Sequence, residues 1–124
     1  MKLDEMVMIK DNHIAIHNSI SKLIKKAKKK HKKIEVEVEN ENDAIIAAKL
    51  GVNIILLDNF TPKKIKQVIK NLEKYDLRKK IKLEASGGIN LKNIQNYAKT
   101  GVDMISVGTI TNSPKSIDMS LEIS

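Results

Sequence analysis

Short apolar runs alternate with longer amphipathic stretches along the chain. Met6-Val7-Met8-Ile9 reads as a strand. From about Asn18 to His31, Ile20, Leu23, Ile24 and Ala27 recur at helical spacing. Ile34-Glu35-Val36-Glu37-Val38 alternates strictly. It predicts a second strand with Val36 and Val38 under helices and Glu35 and Glu37 on the opposite face. Asn42 or Asp43 is positioned to cap the next helix, striped by Ala44, Ile45, Ala48 and Leu50 and ended by Gly51. Asn53-Ile54-Ile55-Leu56-Leu57 is almost wholly apolar, the pattern of a strand covered on both faces. Thr61-Pro62 opens a helix to about Tyr75 on Ile65, Val68, Ile69 and Leu72. Ile81-Lys82-Leu83-Glu84-Ala85 is the fourth strand, running into Ser86-Gly87-Gly88. Asn90 is expected to cap a helix from Leu91 to Lys99, closed by Gly101. Asp103-Met104-Ile105-Ser106-Val107 is the fifth strand, with Gly108 at its end.

This order predicts an α/β fold with a parallel sheet and right-handed crossovers. A closed eight-stranded barrel needs about 250 residues, and this chain has 124. The expected architecture is therefore a partial or open (β/α) TIM-like barrel. A doubly wound sheet is the competing arrangement.

Composition narrows the picture. A hydrophobic fraction of 41% supports a core, and no run reaches the roughly 18 apolar residues that a membrane span needs. Met1-Lys2-Leu3-Asp4-Glu5 lacks the order of a signal peptide, and no cysteine is present for a disulfide or thiolate site. A cytoplasmic protein is the simplest expectation. The net charge of +8 raises the question of nucleic acid. Much of it lies in Lys25-Lys26-Ala27-Lys28-Lys29-Lys30-His31-Lys32-Lys33, which reads as a solvated helical face and its exit. Aromatic residues make up only 2% of the chain, so platforms for stacking bases are nearly absent. No nucleic-acid partner is expected.

Parallel α/β folds gather chemistry where strands hand over to helices. Polar residues stand at those points: Lys10-Asp11-Asn12-His13, Glu37, Asp58-Asn59, Glu84 with Ser86, and Gly108-Thr109. Each alone is explained as a turn or cap residue; their recurrence at successive strand ends points to a site. Glycines after a strand let backbone N–H groups approach a phosphate, and a following helix adds its positive end. Ser86-Gly87-Gly88 and Val107-Gly108-Thr109 repeat that device on neighbouring units. His13, His17 and His31 form no metal-ligand pattern.

Five ordered segments carry a resemblance: Ile9-Lys10-Asp11-Asn12-His13-Ile14, Glu35-Val36-Glu37-Val38, Leu56-Leu57-Asp58-Asn59-Phe60, Glu84-Ala85-Ser86-Gly87-Gly88-Ile89 and Gly101-Val102-Asp103-Met104-Ile105-Ser106-Val107-Gly108. Together, from about Leu3 onward, they resemble the quinolinate phosphoribosyltransferases, or carboxylating nicotinate-nucleotide pyrophosphorylases. The resemblance implies transfer of a phosphoribosyl group from phosphoribosyl pyrophosphate to quinolinate with decarboxylation. The products would be nicotinate mononucleotide, pyrophosphate and CO2, in NAD synthesis with magnesium. It implies that Lys10 engages anionic substrate groups. Glu37 and Asp58 would hold the ribose and magnesium side, with Glu84 beside them. Ser86, Gly87, Gly88, Val107, Gly108 and Thr109 would cradle the 5-phosphate.

The resemblance further implies a homodimer or larger assembly. It also implies an N-terminal domain and early barrel, with substrate-binding arginines and a His-Arg pair, that residues 1–124 do not include. The only arginine is Arg78, and Asn112 stands where the family usually has histidine. The sequence thus reads as the C-terminal barrel part of such an enzyme, expected to be poorly active alone. The rival readings are an inactive remnant or basic binding fragment, and another phosphate-binding barrel enzyme.

Overall fold

The computed structural model describes residues 6–9 and 20–107. Five strands form one parallel sheet in sequence order: β1 (Met6–Ile9), β2 (Lys33–Val38), β3 (Ile54–Asp58), β4 (Lys82–Ser86) and β5 (Met104–Ile105). Between them run α1 (Ile20–Lys28), α2 (Glu41–Lys49), α3 (Pro62–Lys74), a 3-10 turn (Arg78–Lys80) and α4 (Ile94–Ala98).

Strand order never reverses, and α1 packs on α2 and α2 on α3, so these helices share one layer. A doubly wound sheet would reverse its order and place helices on both faces. The arrangement is that of an open barrel wall. Alternate strand residues feed the interface under the helices: Ile34, Val36, Val38, Ile55, Leu57, Leu83 and Ala85 are all buried. Ile20 and Ile24 of α1, Ala44, Ala47 and Ala48 of α2, and Ile65, Val68 and Leu72 of α3 meet them. The opposite sheet face carries Glu35, Glu37, Ile54, Leu56, Asp58, Glu84 and Ser86, all half-buried.

β3 accordingly departs from expectation. Its apolar run is not covered on both faces, because Ile54 and Leu56 look onto the concave side of the wall. The α2 cap also differs. Asn40, rather than Asn42 or Asp43, accepts the Asp43 N–H at 2.8 Å, and its own amide donates to the Asp43 carboxylate at 3.2 Å. That reciprocal pair fixes the helix start at Glu41. Thr61 caps α3 as expected, accepting the Lys64 N–H at 3.2 Å, with Pro62 behind it.

A repeated device aligns the strand starts. In Gly51-Val52-Asn53 and Gly101-Val102-Asp103 a glycine at positive φ precedes a buried or half-buried valine and an Asx residue. Asn53 Oδ1 accepts the Ile34 N–H at 2.9 Å, and Asp103 Oδ2 accepts the Leu83 N–H at 2.8 Å. Each Asx thus pins its own strand to the neighbour before it.

Candidate active site

The parallel register stacks the polar residues of the concave face into layers. Glu37 on β2 and Glu84 on β4 both pair with Leu56 on β3, so the two glutamates flank one leucine in one layer. With strands about 4.8 Å apart, their Cα atoms lie on the order of 10 Å from each other. Asp58 pairs with Ser86 in the next layer, at the C-terminal strand ends.

The β3 and β4 ends are locked together. Asn59 adopts a left-handed conformation, φ 60°, rare outside glycine but tolerated by asparagine. Its N–H donates to the Ser86 carbonyl at 2.9 Å, and its side-chain amide lies 3.5 Å from Asp58 Oδ2. Gly87 (φ 89°) and Gly88 (φ 73°) follow in conformations that also favour glycine. A Cβ on Gly87 would sit 2.5 Å from Asn59 Oδ1 and 2.9 Å from its backbone nitrogen, whereas one on Gly88 would meet nothing within 4 Å. Gly87 is therefore needed for the lock, while Gly88 borders open space. Among the described residues, neither glycine's N–H donates to a protein acceptor.

The loop beyond them is held by two asparagines. Asn90 Oδ1 accepts the Lys92 N–H at 2.8 Å, while Asn93 Oδ1 accepts the Asn90 N–H at 2.8 Å and its amide donates to the Gly88 carbonyl at 3.0 Å. This corrects an expectation: the helix does not run from Leu91 to Lys99. The asparagine-locked turn delays it to Ile94, so α4 is a single short turn over Ile94–Ala98 with no helix N-terminus at the glycines. Any anion at this loop would meet the loop's own backbone rather than a helix end. Beneath the loop, the buried Tyr97 hydroxyl donates to the Phe60 carbonyl at 2.9 Å.

On β5 only Met104 and Ile105 form ladder pairs, shorter than the expected Asp103–Val107. The Asp103 and Ser106 amides still bond to β4 carbonyls, at 2.9 Å each. Ser106 Oγ donates to Glu84 Oε2 at 3.1 Å. Val107 is a buried core residue, so any contact with a ligand would come from its backbone. Lys10, Gly108, Thr109 and Asn112 lie outside the described residues. The structure thus brings Asp58, Ser86, Gly87 and Gly88 together, with Glu37 and Glu84 one layer below. Asn59 stands among the strand-end polar residues of the sequence, but its left-handed lock onto β4, like the parts of Asn93 and Ser106, has no sequence signal beyond an asparagine after a strand-terminal aspartate.

Arg78 stands at the other end of the sheet. It forms an ion pair with Asp103 at 2.9 Å and also donates to the carbonyls of Gly101 and Ile81. Burial pushes the Asp103 carboxyl up, but the Leu83 N–H and then Arg78, with Lys82 nearby, hold it below the ordinary aspartate value. Beside it a cleft of 660 Å³ is lined by Lys33, Lys79, Lys80 and Lys82.

Among the described residues no group of three or more His, Cys, Asp or Glu side chains is arranged to hold a metal alone. Magnesium usually takes one or two carboxylates and completes its shell with water and substrate phosphates. Glu37 and Asp58, oxygen donors on the concave face near the glycine loop, suit that shared mode.

The family model for the quinolinate phosphoribosyl transferase C-terminal domain matches residues 1–122. A probable carboxylating nicotinate-nucleotide pyrophosphorylase of Methanothermobacter thermautotrophicus is 47% identical over 125 residues, covering 98% of this chain and 45% of that protein. The Homo sapiens carboxylating nicotinate-nucleotide pyrophosphorylase is 32% identical over 124 residues, covering 98% and 41%. The crystal structure of nicotinate-nucleotide pyrophosphorylase from Ehrlichia chaffeensis superposes with a TM-score of 0.75 at 39% identity, over 87% of this chain and 38% of that one. Thiamine phosphate pyrophosphorylase from Pyrococcus furiosus shares the fold alone, with a TM-score of 0.68 at 19% identity over 96% and 57%. The chain spans less than half the length of the first curated relatives that it matches.

Proposed function

The chain belongs to the quinolinate phosphoribosyl transferase family, and on that premise we propose that it forms the phosphoribosyl-binding wall of a carboxylating nicotinate-nucleotide pyrophosphorylase. The reaction joins the quinolinate ring nitrogen to the anomeric carbon of phosphoribosyl pyrophosphate, releases pyrophosphate, and loses CO2 to give nicotinate mononucleotide. The observation that carries this reading is the lock between Asp58-Asn59 and Ser86-Gly87, which sets a carboxylate beside a glycine loop open at Gly88.

In this reading the 5-phosphate rests on the Ser86-Gly87-Gly88 backbone, joined by Gly108 and Thr109, while Lys10 meets an anionic group. Positive charge grows on the ribose ring as pyrophosphate departs. Fixed carboxylates at Glu37, Asp58 and Glu84 stabilise that charge without reorganising. Glu37 and Asp58 are the residues that would hold magnesium, and the ion would supply charge neutralisation for the leaving group. The ring becomes a pyridinium when its nitrogen is substituted, which favours loss of the adjacent carboxylate. The partners are quinolinate and phosphoribosyl pyrophosphate, in an assembly of two or more chains in the cytoplasm.

Calorimetric titration of the chain with phosphoribosyl pyrophosphate and magnesium tests the reading. Saturable one-site binding that ribose 5-phosphate weakens by competition is expected. Absence of binding, or binding unaffected by that competitor, would sink it.

A further inference from the structure

Glu84 and Ser106 form a contact, and neither the family match nor the motif resemblance gives Ser106 a role in it. Ser106 directly follows the short β5, and its N–H donates to the Ala85 carbonyl at 2.9 Å. That bond places its hydroxyl on the concave face, where it donates to Glu84 Oε2 at 3.1 Å. The contact is half-buried, so the carboxylate is partly shielded from water and not sealed from it. The register puts it across Leu56 from Glu37 and one layer below Asp58 and Ser86.

A glutamate side chain rotates about three bonds, and ordering it when a ligand binds costs conformational entropy. A hydroxyl that holds one carboxylate oxygen removes part of that freedom before a ligand arrives. Among the described residues no donor meets the second oxygen, Oε1, so its acceptor positions are available there.

We infer that Ser106 is a positioning residue: it ties Glu84 Oε2 so that Oε1 is preset to accept a hydrogen bond from a ribose hydroxyl of the phosphoribosyl substrate. This inference rests on the proposed phosphoribosyl site and deepens it. It assigns Glu84 to the sugar, one layer below the glycine loop that takes the phosphate. Ser106 itself does not touch the substrate.

The test is a double-mutant cycle on the whole chain, read by calorimetric titration with magnesium phosphoribosyl pyrophosphate. Ser106→Ala should weaken binding by about tenfold, the scale of one hydrogen bond to a charged group. Ser106→Thr, which keeps the hydroxyl, should restore affinity to within about threefold of wild type, since the same charged hydrogen bond is rebuilt. In a Glu84→Ala background, Ser106→Ala should cause no further loss, because the residue acts only through Glu84. Inorganic phosphate, which lacks a sugar, should bind equally to wild type and Ser106→Ala.

A Ser106→Ala variant that binds like wild type overturns the inference while leaving the phosphoribosyl site standing. So does a loss that persists in the Glu84→Ala background. If the wild-type chain binds no phosphoribosyl pyrophosphate, the site falls and this inference with it. The Glu84 side-chain carbonyl resonance adds a readout free of ligand. It should move between wild type and Ser106→Ala and return in Ser106→Thr; an unmoved resonance denies the contact.

Discussion

The Asn59 N–H donates to the Ser86 carbonyl at 2.9 Å, and a Cβ on the next residue, Gly87, would collide with that same nitrogen. One asparagine in a left-handed turn and one glycine thus define how the β3 and β4 ends meet. Substituting the two glycines separates architecture from recognition. Gly87→Ala adds a clash with backbone to an unfavourable φ and is expected to cost about 1–3 kcal/mol of stability. Gly88→Ala meets only the φ cost, about 1–2 kcal/mol, but projects a methyl where the ligand should lie. Denaturant melts should rank Gly87→Ala as the less stable, while phosphate-ester titration should show Gly88→Ala impaired well beyond its stability loss.

Tyr97 reaches from α4 to the Phe60 carbonyl, just past Asn59, through a buried hydrogen bond of 2.9 Å. Tyr97→Phe keeps the ring and leaves that carbonyl without its partner. The expected cost is about 1–3 kcal/mol, the penalty for an unsatisfied buried acceptor. Urea denaturation measures it; an unchanged midpoint would show that the bond contributes nothing to holding the two loops together.

Glu37 and Asp58 occupy different layers of the concave face, and both take part in the proposed sugar and magnesium contacts. Glu37→Gln and Asp58→Asn preserve shape and remove charge. Each should weaken binding of magnesium phosphoribosyl pyrophosphate by about tenfold or more, the scale of a charge-assisted hydrogen bond. Melting should change little, because both side chains are half-buried at the open face and neither belongs to the apolar core.

Much of this was legible in the chain because local signals agreed with the fold. Thr61-Pro62 opened α3, and strict alternation in β2 separated Val36 and Val38 from Glu35 and Glu37. What escaped depended on partners distant in sequence. The apolar run of β3 resembles a strand buried on both faces, and only the single helical layer shows that Ile54 and Leu56 face the open side. In Asn40-Glu41-Asn42-Asp43 several residues are competent caps, and side-chain geometry selects Asn40. A cap residue at Asn90 and a glycine at Gly101 suggest a longer helix between them, yet Asn90 and Asn93 satisfy the backbone of the first part of that segment in a non-helical turn. The Ser106–Glu84 contact joins two strands and leaves no trace in spacing.

Asp103 links stability to pH. Its carboxyl is held below the ordinary aspartate value in the folded chain, mainly by the Leu83 N–H and Arg78 working against burial. A depressed folded value means that the contribution is present above the unfolded value, near 3.9. It is lost as pH falls through the lower folded value. Thermal melts from pH 7 to pH 2 should therefore fall more steeply below about pH 4 in wild type than in Asp103→Asn. Parallel acid limbs in the two proteins would remove Asp103 from the acid response.

Arg78 sharpens what this chain should and should not bind. It is the only guanidinium in the sequence, and it is committed to Asp103, Gly101 and Ile81 at the strand starts, the opposite end from the glycine loop. Planar carboxylates are best held by paired guanidinium donors, and no arginine of this chain is placed to offer them at the candidate site. The 124-residue chain alone should therefore bind magnesium phosphoribosyl pyrophosphate yet show no saturable quinolinate binding and negligible nicotinate mononucleotide formation. Arg78→Met should lower the melting midpoint by releasing Asp103 and leave phosphoribosyl pyrophosphate affinity unchanged. Robust turnover by the chain alone would show that lysines suffice for the dicarboxylate. Loss of phosphoribosyl pyrophosphate affinity in a folded Arg78→Met variant would place the ligand at the wrong end of the sheet.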